Sequence, residues 1–485
     1  MKPIKWFVMN WPGIFITASY ILMLLGFMML FVPVIDILTG RSLTFSYLST
    51  SLILITIGLI LSRFRTEPLG LIESIILVSI LWILLSIVSA IPLMISLNIS
   101  FIDAWFESVS GFTGTGFTVL NGLDNMKPSI VTWRSMMQWV GELGVVVFAM
   151  ILFPYFYKLG ARVYGIERPF KIEASFYRTA RRLLITYSIL TFMGIISLIY
   201  AGMNIYEAVN HMFTTISTGG MSTYDNGYQV IFNRSPYTYI PMVIFMFIGA
   251  MNFILLDRFI RGEFRSIWRS EEFKLYLITS ILLSTLTVLS YWLVEGIDLY
   301  NSLLYGVFNQ LSGLTTTGFS LGSINSLKPV TKFLIIIGMF IGGMTFSTAG
   351  GIKVYRFLIL LKKIRITAIS VVITTRFEKI IKIDTTILDE SEVSFTLIYP
   401  IIHIFVVIFG TLLISIYGYD FIDSLFESVS ATSCVGLSTG VISASAPIPV
   451  KIIIIILMLL GRLEFIQLFL IIGYISGFRL VRVLK

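Results

Sequence analysis

The sequence predicts an all-α integral membrane protein with ten transmembrane helices and four re-entrant loops, arranged as pseudo-fourfold helix–loop–helix repeats behind a two-helix N-terminal extension. Three observations predict it. Apolar residues make up 56% of the 485-residue chain and charged residues 13%, a balance foreign to a water-soluble protein of this size. Ten apolar runs separate the charge clusters, each compared with the roughly 20 residues that cross about 30 Å of hydrocarbon. Four of the segments between runs are short, apolar and built alike around a glycine.

The runs cover 13–35, 47–62, 71–96, 133–157, 181–203, 238–260, 273–295, 331–361, 395–417 and 450–474, the second marginally short and the eighth over-long. The first is too long for a signal-peptide core and no A-x-A pattern follows it, so it reads as a retained helix. With the N-terminus inside, most of the 35 lysines and arginines fall on the cytoplasmic face, including Arg162 to Arg182, Arg258 to Lys274 and Lys353 to Lys382. Both termini are therefore expected in the cytoplasm. The opposite face is then net negative although the chain is +9, and it concentrates cations. This asymmetry accounts for the basicity without nucleic acid. The single cysteine, Cys434, excludes an internal disulfide framework, and two histidines beside it argue against a structural metal cluster.

The four glycine-centred segments run from Asp103 to Gly116, Glu207 to Gly220, Tyr305 to Gly318 and Asp423 to Gly436. After each glycine comes Phe, Met or Leu and then Ser or Thr. Nine positions before it stands a polar residue: Glu107, His211, Asn309 or Glu427. The glycines are 104, 98 and 118 residues apart, a period that marks whole units of helix, short helix, glycine turn and helix. The units divide the chain into 1–66, 67–165, 166–265, 266–380 and 381–485. Asp103, Glu207 and Asp423 stand where a short helix begins and suit its positive end, with Asn301 the expected cap in the third unit. The short helices then aim partially negative C-termini at the membrane middle. Non-helical backbone survives at that depth only when buried in protein or lining a water-filled cavity. Four such stretches imply re-entrant pore loops around one axis, where glycine lets the backbone turn its carbonyls inward to replace the hydration shell of a cation.

These residues resemble the Trk, Ktr and HKT superfamily of potassium transport proteins, nearest the Trk branch, over essentially everything from residue 71 onward. Further motifs that carry the resemblance are Gly342 to Lys353 and Gly461-Arg462-Leu463-Glu464. The fourth loop, Cys434-Val435-Gly436-Leu437-Ser438, is closer to the Ktr branch. The resemblance implies potassium uptake by a homodimer with one pore per subunit, regulated by a cytosolic nucleotide-binding subunit of the TrkA or KtrA kind. It implies a filter at Thr115, Gly116, Phe117, Thr218, Gly219, Gly220, Met221, Thr316, Thr317, Gly318, Phe319, Cys434, Val435, Gly436 and Leu437. Sodium-preferring plant relatives carry serine at the first filter glycine, and Gly116 favours potassium. Two residues before each glycine, potassium channels place threonine. Here Gly114, Thr218, Thr316 and Cys434 keep two hydroxyls of four, which predicts weaker inner-site coordination.

The over-long eighth run is interrupted by Gly342, Gly343, Ser347, Thr348, Gly350 and Gly351. Each interior glycine costs a helix about 1 kcal/mol relative to alanine, which predicts a broken helix whose middle forms a gate loop under the filter. Close helix packing is the alternative use of such small residues. Lys353 is expected to anchor at the cytoplasmic interface. Arg462 stands among isoleucines and leucines, where a charge costs roughly 3 kcal/mol. Glu464 faces another side of that helix. Arg462 follows Gly436 by 26 residues and Glu142 follows Gly116 by 26, in matching strings Gly461-Arg462-Leu463 and Gly141-Glu142-Leu143. Two readings stay open: Glu142 pairs with Arg462, or Arg462 bonds carbonyls of the 344–351 loop, as the resemblance implies. His211 reads as a hydrogen-bonded scaffold residue and His403 as core.

The basic stretches Lys158 to Arg182 and Lys353 to Lys382 fix topology and touch anionic lipid, or dock the regulatory subunit. The leading function is a channel-like potassium pathway in the cell membrane, with the potassium ion as substrate and no organic cofactor. A proton- or sodium-coupled potassium symporter is the alternative, but it calls for inverted repeats and these four units read as parallel. An enzyme is not expected, since one cysteine and scattered histidines assemble no nucleophile–base pair.

Overall fold

The structure is a computed structural model and describes residues 10–64, 69, 71–142, 144, 172–372, 381–384 and 386–465. The fourth predicted span beyond 144, most of the basic stretch from Lys158, and the tenth span beyond 465 lie outside the described residues. The chain divides into two compact units, Met1–Val109 with Asn125–Arg134, and Ser110–Asp124 with Ser135–Lys485.

In the first unit the apolar run from Trp11 is a helix, Trp11–Met29, followed directly by a second, Phe31–Leu38. Helix Phe45–Leu61 packs on the first through small residues. A β-carbon at Gly58 would lie 2.4 Å from that of Met23, and the Ser51 hydroxyl donates to the Gly26 carbonyl at 2.7 Å. Small residues at such contacts let backbones approach where lipid gives no hydrophobic drive to association. The long helix Leu71–Leu97 follows. Arg134 and Glu107 form a buried ion pair of 2.6 Å in this unit.

Among the described residues, five helices are long and apolar enough to cross a membrane: Trp11–Leu38, Glu73–Leu97, Arg178–Tyr200, Glu271–Leu293 and Glu392–Ser415. Three of the runs are broken, the eighth as the sequence predicts and the other two where it reads a continuous helix. The run 238–260 bends by 112° between Tyr239–Gly249 and Phe253–Ile260, because Asn252 leaves the helix and caps the next one, accepting from Ile254 N at 2.9 Å. The eighth run is two helices, Pro329–Ile341 and Val354–Val372, separated by non-helical residues 342–353. The tenth leaves the helix at Arg462, the last residue of Ile448–Arg462, and Glu464 and Phe465 turn left-handed at φ 49° and 56°. Arg462 thus lies at a helix C-terminus rather than mid-helix, where the macrodipole favours a cation.

The four short helices are Phe101–Phe112, Ile205–Ile216, Leu299–Leu314 and Phe421–Thr432. Each is capped by a side chain just before its start. Ser100 Oγ accepts from Asp103 N at 3.1 Å, Asn204 Oδ1 from Glu207 N at 2.8 Å, Asp298 Oδ2 from Asn301 N at 3.1 Å, and Asp420 Oδ2 from Ile422 N at 3.1 Å. The acids expected at the helix starts therefore sit one turn inside. The third cap is Asp298, not Asn301, because that helix has 16 residues against 12 in its neighbours in sequence. The all-α expectation also needs correction. Ile381–Ile383 and Thr386–Leu388 form an antiparallel hairpin in the register Ile383↔Thr386, with Asp384 left-handed at φ 51° in its two-residue turn. Isoleucine and threonine favour the pleated backbone and aspartate tolerates the turn.

Replacing Asn204 by Ala removes one cap and should lower stability by about 1 kcal/mol, while Asn204→Ser should change it by only a few tenths. Thermal unfolding of the purified protein in detergent measures the difference.

Candidate functional site

Each glycine turn begins where a short helix runs out. The carbonyl six residues before the glycine accepts the N–H of the residue just before it: Thr115 to Ser110 at 3.0 Å, Gly219 to Thr214 at 2.7 Å, Thr317 to Ser312 at 2.8 Å, Val435 to Ser430 at 2.8 Å. Forming that bond puts the residue two before the glycine in the left-handed region. Gly114, Thr218, Thr316 and Cys434 have φ of 66°, 50°, 54° and 53°, and the central glycines have φ between 75° and 90°. Left-handed residues thus alternate with residues of negative φ.

The four glycines meet in a ring. A β-carbon built on Gly116 would fall 2.0 Å from the carbonyl oxygen of Gly219, one on Gly220 2.0 Å from that of Thr317, one on Gly318 2.1 Å from that of Val435, and one on Gly436 2.0 Å from that of Thr115. Each glycine thus abuts the backbone of the next repeat, and the fourth closes on the first. No side chain fits at any of the four without moving backbone.

In the second, third and fourth repeats the polar residue nine positions upstream holds the far side of the turn. His211 Nε2 bonds Ser222 Oγ at 3.0 Å, the Asn309 amide holds Leu321 O and N at 2.8 Å each, and Glu427 Oε1 accepts from Ser438 Oγ at 2.6 Å and Thr439 N at 2.9 Å. At the N-terminal end of the second short helix Glu207 feels opposed influences. Burial raises its carboxyl, but hydrogen bonds from Arg234 and Tyr224 more than offset this and hold it below the ordinary carboxylate range.

Against the residues that precede the second and third glycines lies the 342–353 segment. Thr348 Oγ1 donates toward the carbonyls of Ile216 at 3.0 Å and Gly249 at 2.9 Å, and accepts from Thr218 Oγ1 at 3.2 Å. Gly350 N donates to Thr316 Oγ1 at 2.7 Å, and a β-carbon there would lie 1.9 Å from the Ser433 carbonyl oxygen. The two hydroxyls expected at the inner end of the turns are therefore engaged by this segment. Beside it Arg462 Nη1 and Glu142 Oε1 form a buried pair of 2.6 Å, and Arg462 Nη2 donates to Gly141 O at 3.3 Å. Of the two readings left open for Arg462, the pairing reached from the 26-residue offset is the one observed here. Glu142 has room because residue 114 is glycine: a β-carbon there would fall 2.1 Å from Glu142 Oε1.

The family model described as TrkH, cation transport protein, matches residues 44–289 and 272–473. The chain belongs to the TrkH family. It is 32% identical over 427 residues to the Trk system potassium uptake protein TrkG of Escherichia coli, covering 84% of this chain and 85% of that one. It is 28% identical over 487 residues to an uncharacterized cation transporter of Methanocaldococcus jannaschii, covering 98% and 97%. Its structure matches the crystal structure of the potassium transporter TrkH from Vibrio parahaemolyticus with a TM-score of 0.85 and 26% identity, over 96% and 98% of the two chains.

Lys353, Glu464 and His403 of this TrkH-family chain each find a partner nearby. Lys353, expected at an interface, is left-handed at φ 79° and turns its ammonium back to the Ala349 carbonyl. Glu464 pairs with Arg356 at 2.5 Å, and that guanidinium lies 4.0 Å from the centre of the Tyr399 ring. His403 is buried between Phe340, Tyr399 and Phe465 as expected, with Nε2 3.5 Å from Ser433 Oγ. Sequence reasoning missed Gln138. Its Nε2 donates to Gly219 O at 2.7 Å and its Oε1 accepts from Met221 N at 3.1 Å, bracing the second turn from a helix of the first repeat. A glutamine four residues before Glu142 in an apolar run was the available signal.

Gly114→Ala should displace the Glu142 carboxylate and cost about 3–5 kcal/mol, the usual penalty for breaking a buried pair. In a Glu142→Ala/Arg462→Met background the same change should cost only the left-handed backbone term, about 1–2 kcal/mol. Denaturant unfolding in detergent of the parent and the three variants checks this.

Proposed function

We propose that this TrkH-family protein takes up potassium across the cell membrane through a channel-like pore, with the potassium ion as substrate. The closed ring of glycine-to-carbonyl contacts carries the reading. A ring of backbone acceptors, drawn one from each repeat and held on a rigid frame, suits a weakly hydrated cation. On this reading the filter comprises Thr115, Gly116, Phe117, Thr218 to Met221, Thr316 to Phe319 and Cys434 to Leu437. Its carbonyls, rather than the threonine hydroxyls, supply the ligands. The alternating sign of φ in the turns and the names of the potassium-uptake relatives support it.

The finer architecture belongs to the same proposal. Ten spans and four re-entrant pore loops divide the chain at 67–165, 166–265, 266–380 and 381–485 after the 1–66 extension, with both termini cytoplasmic. The segment 342–353, with Gly342, Gly343, Ser347, Thr348, Gly350 and Gly351, is the gate, and its bonds to Thr218 and Thr316 tie it to the inner end of the filter. The Glu142–Arg462 pair sets the field beside it. The working unit is a homodimer in membrane lipid, with a cytosolic nucleotide-binding subunit of the TrkA or KtrA kind as regulator.

Reconstitution into liposomes tests the proposal. Potassium flux should exceed sodium flux and persist without an imposed proton or sodium gradient. Equal fluxes of the two ions would refute selectivity, and potassium accumulation that requires a proton or sodium gradient would favour the coupled symporter. Gly318→Ser or Gly436→Ser should lower the potassium-to-sodium flux ratio by about tenfold, ~1.4 kcal/mol. A variant with the 342–353 segment shortened should raise potassium flux while keeping the ratio.

A further inference from the structure

Glu272 is a carboxylate that neither the filter nor the Arg462 pair uses. It lies in the first turn of helix Glu271–Leu293, is 5% exposed, and points at the 342–353 segment. Its Oε1 accepts from Thr345 N at 2.6 Å and from Thr345 Oγ1 at 3.1 Å, and its Oε2 from Thr345 Oγ1 at 3.0 Å. Both oxygens of one buried carboxylate are thus engaged by a single loop residue. The positive end of the helix further favours the charge there. The loop's other bonds go mainly to backbone and hydroxyls around the turns: Met344 N to Ala250 O at 2.9 Å, Phe253 N to Phe346 O at 3.1 Å, and those of Thr348 and Gly350. Hydrogen bonds to an ionised acceptor are about twice as strong as neutral ones, so Glu272 is a strong tether on this segment.

The preceding residue points elsewhere. Glu271 and Asp384, in the turn of the β-hairpin, exchange bonds: Glu271 N donates to Asp384 Oδ1 at 2.8 Å and Asp384 N to Glu271 Oε1 at 3.2 Å. Lys362, on the helix that leaves the loop, forms an ion pair with Glu271 and donates to Lys382 O at 2.5 Å. Ile381 and Ile383 are buried against Leu358 and Ile359 of that same helix. The hairpin is therefore fastened at one point to the helix start that carries Glu272 and along its length to the helix that continues the loop.

We propose that Glu272 is the positioning residue that latches the intramembrane loop in the arrangement seen here, and that the Glu271–Asp384 exchange couples this latch to the hairpin. The proposal rests on the gate reading above and deepens it. Displacing the hairpin, on the cytoplasmic face in the orientation proposed, shifts residues 271 and 272 together and withdraws the carboxylate from Thr345. The hairpin thereby becomes the handle and the Glu272–Thr345 contact the catch.

The test uses the full chain in liposomes and reads potassium flux together with the potassium-to-sodium ratio. Glu272→Gln and Thr345→Val should each raise potassium flux by about tenfold, the worth of one charge-assisted bond, with the ratio unchanged. The double variant should raise it no further than either alone, and Thr345→Ser, which keeps the hydroxyl, should behave like the parent. Asp384→Ala should raise flux in the same sense. Additive effects of Glu272→Gln and Thr345→Val, or a fall in the ratio alongside flux, would overturn the latch in favour of general loosening. Unchanged flux in Glu272→Gln beside increased flux in the shortened-loop variant would also refute the latch and leave the gate reading standing. Unchanged flux in both would refute the gate itself, and the latch with it.

Discussion

Everything at the centre of this molecule depends on four places where backbone meets backbone with no room for a β-carbon. Gly116, Gly220, Gly318 and Gly436 each lie against the carbonyl of the residue before the next repeat's glycine. The approach is close because nothing projects from the α-carbon, and positive φ is cheap there for the same reason. In the second, third and fourth repeats the short helices, their caps and the residues nine positions upstream serve to hold the turns at that separation. The contact runs in one sense around the ring, so each repeat is shaped by its successor and none is complete alone.

Much of this was legible in the sequence because it is written in periodic signals. Apolar run length, the glycine spacing and the recurring polar residue located the four turns. The 26-residue offset located the Glu142–Arg462 pair, since equal distances along equivalent elements end at equivalent places. What stayed hidden has a physical cause in each case. The bend after Gly249 depends on Asn252 preferring to cap a new helix, a choice that apolar content does not record. The third cap was misplaced because an extra turn shifts Asp298 out of register while leaving the glycine motif intact. Gln138 and Glu272 act on segments 81 and 73 residues away, and a single sequence carries no sign of such partners.

The four repeats share a backbone but not their side chains, and the differences are concentrated below the ring. The position two before each glycine is left-handed in all four, a conformation that costs threonine and cysteine about 1–2 kcal/mol and costs glycine little. Three repeats bear that cost, and two of those side chains bond to the 342–353 segment. The first repeat avoids it with Gly114, and the vacated space is filled by a carboxylate. The one position thus does two jobs: it helps hold a loop under the second and third turns and makes room for a charge under the first.

The extra turn of the third short helix also has an outward consequence. Four more residues at 1.5 Å rise lift its start roughly 6 Å relative to the second and fourth short helices, whose turns it otherwise matches. That raised end carries the exposed carboxylate of Asp298. A large molecule settling over the starts of the second, third and fourth short helices would meet an uneven rim. The step distinguishes one rotational setting of such a molecule from the others.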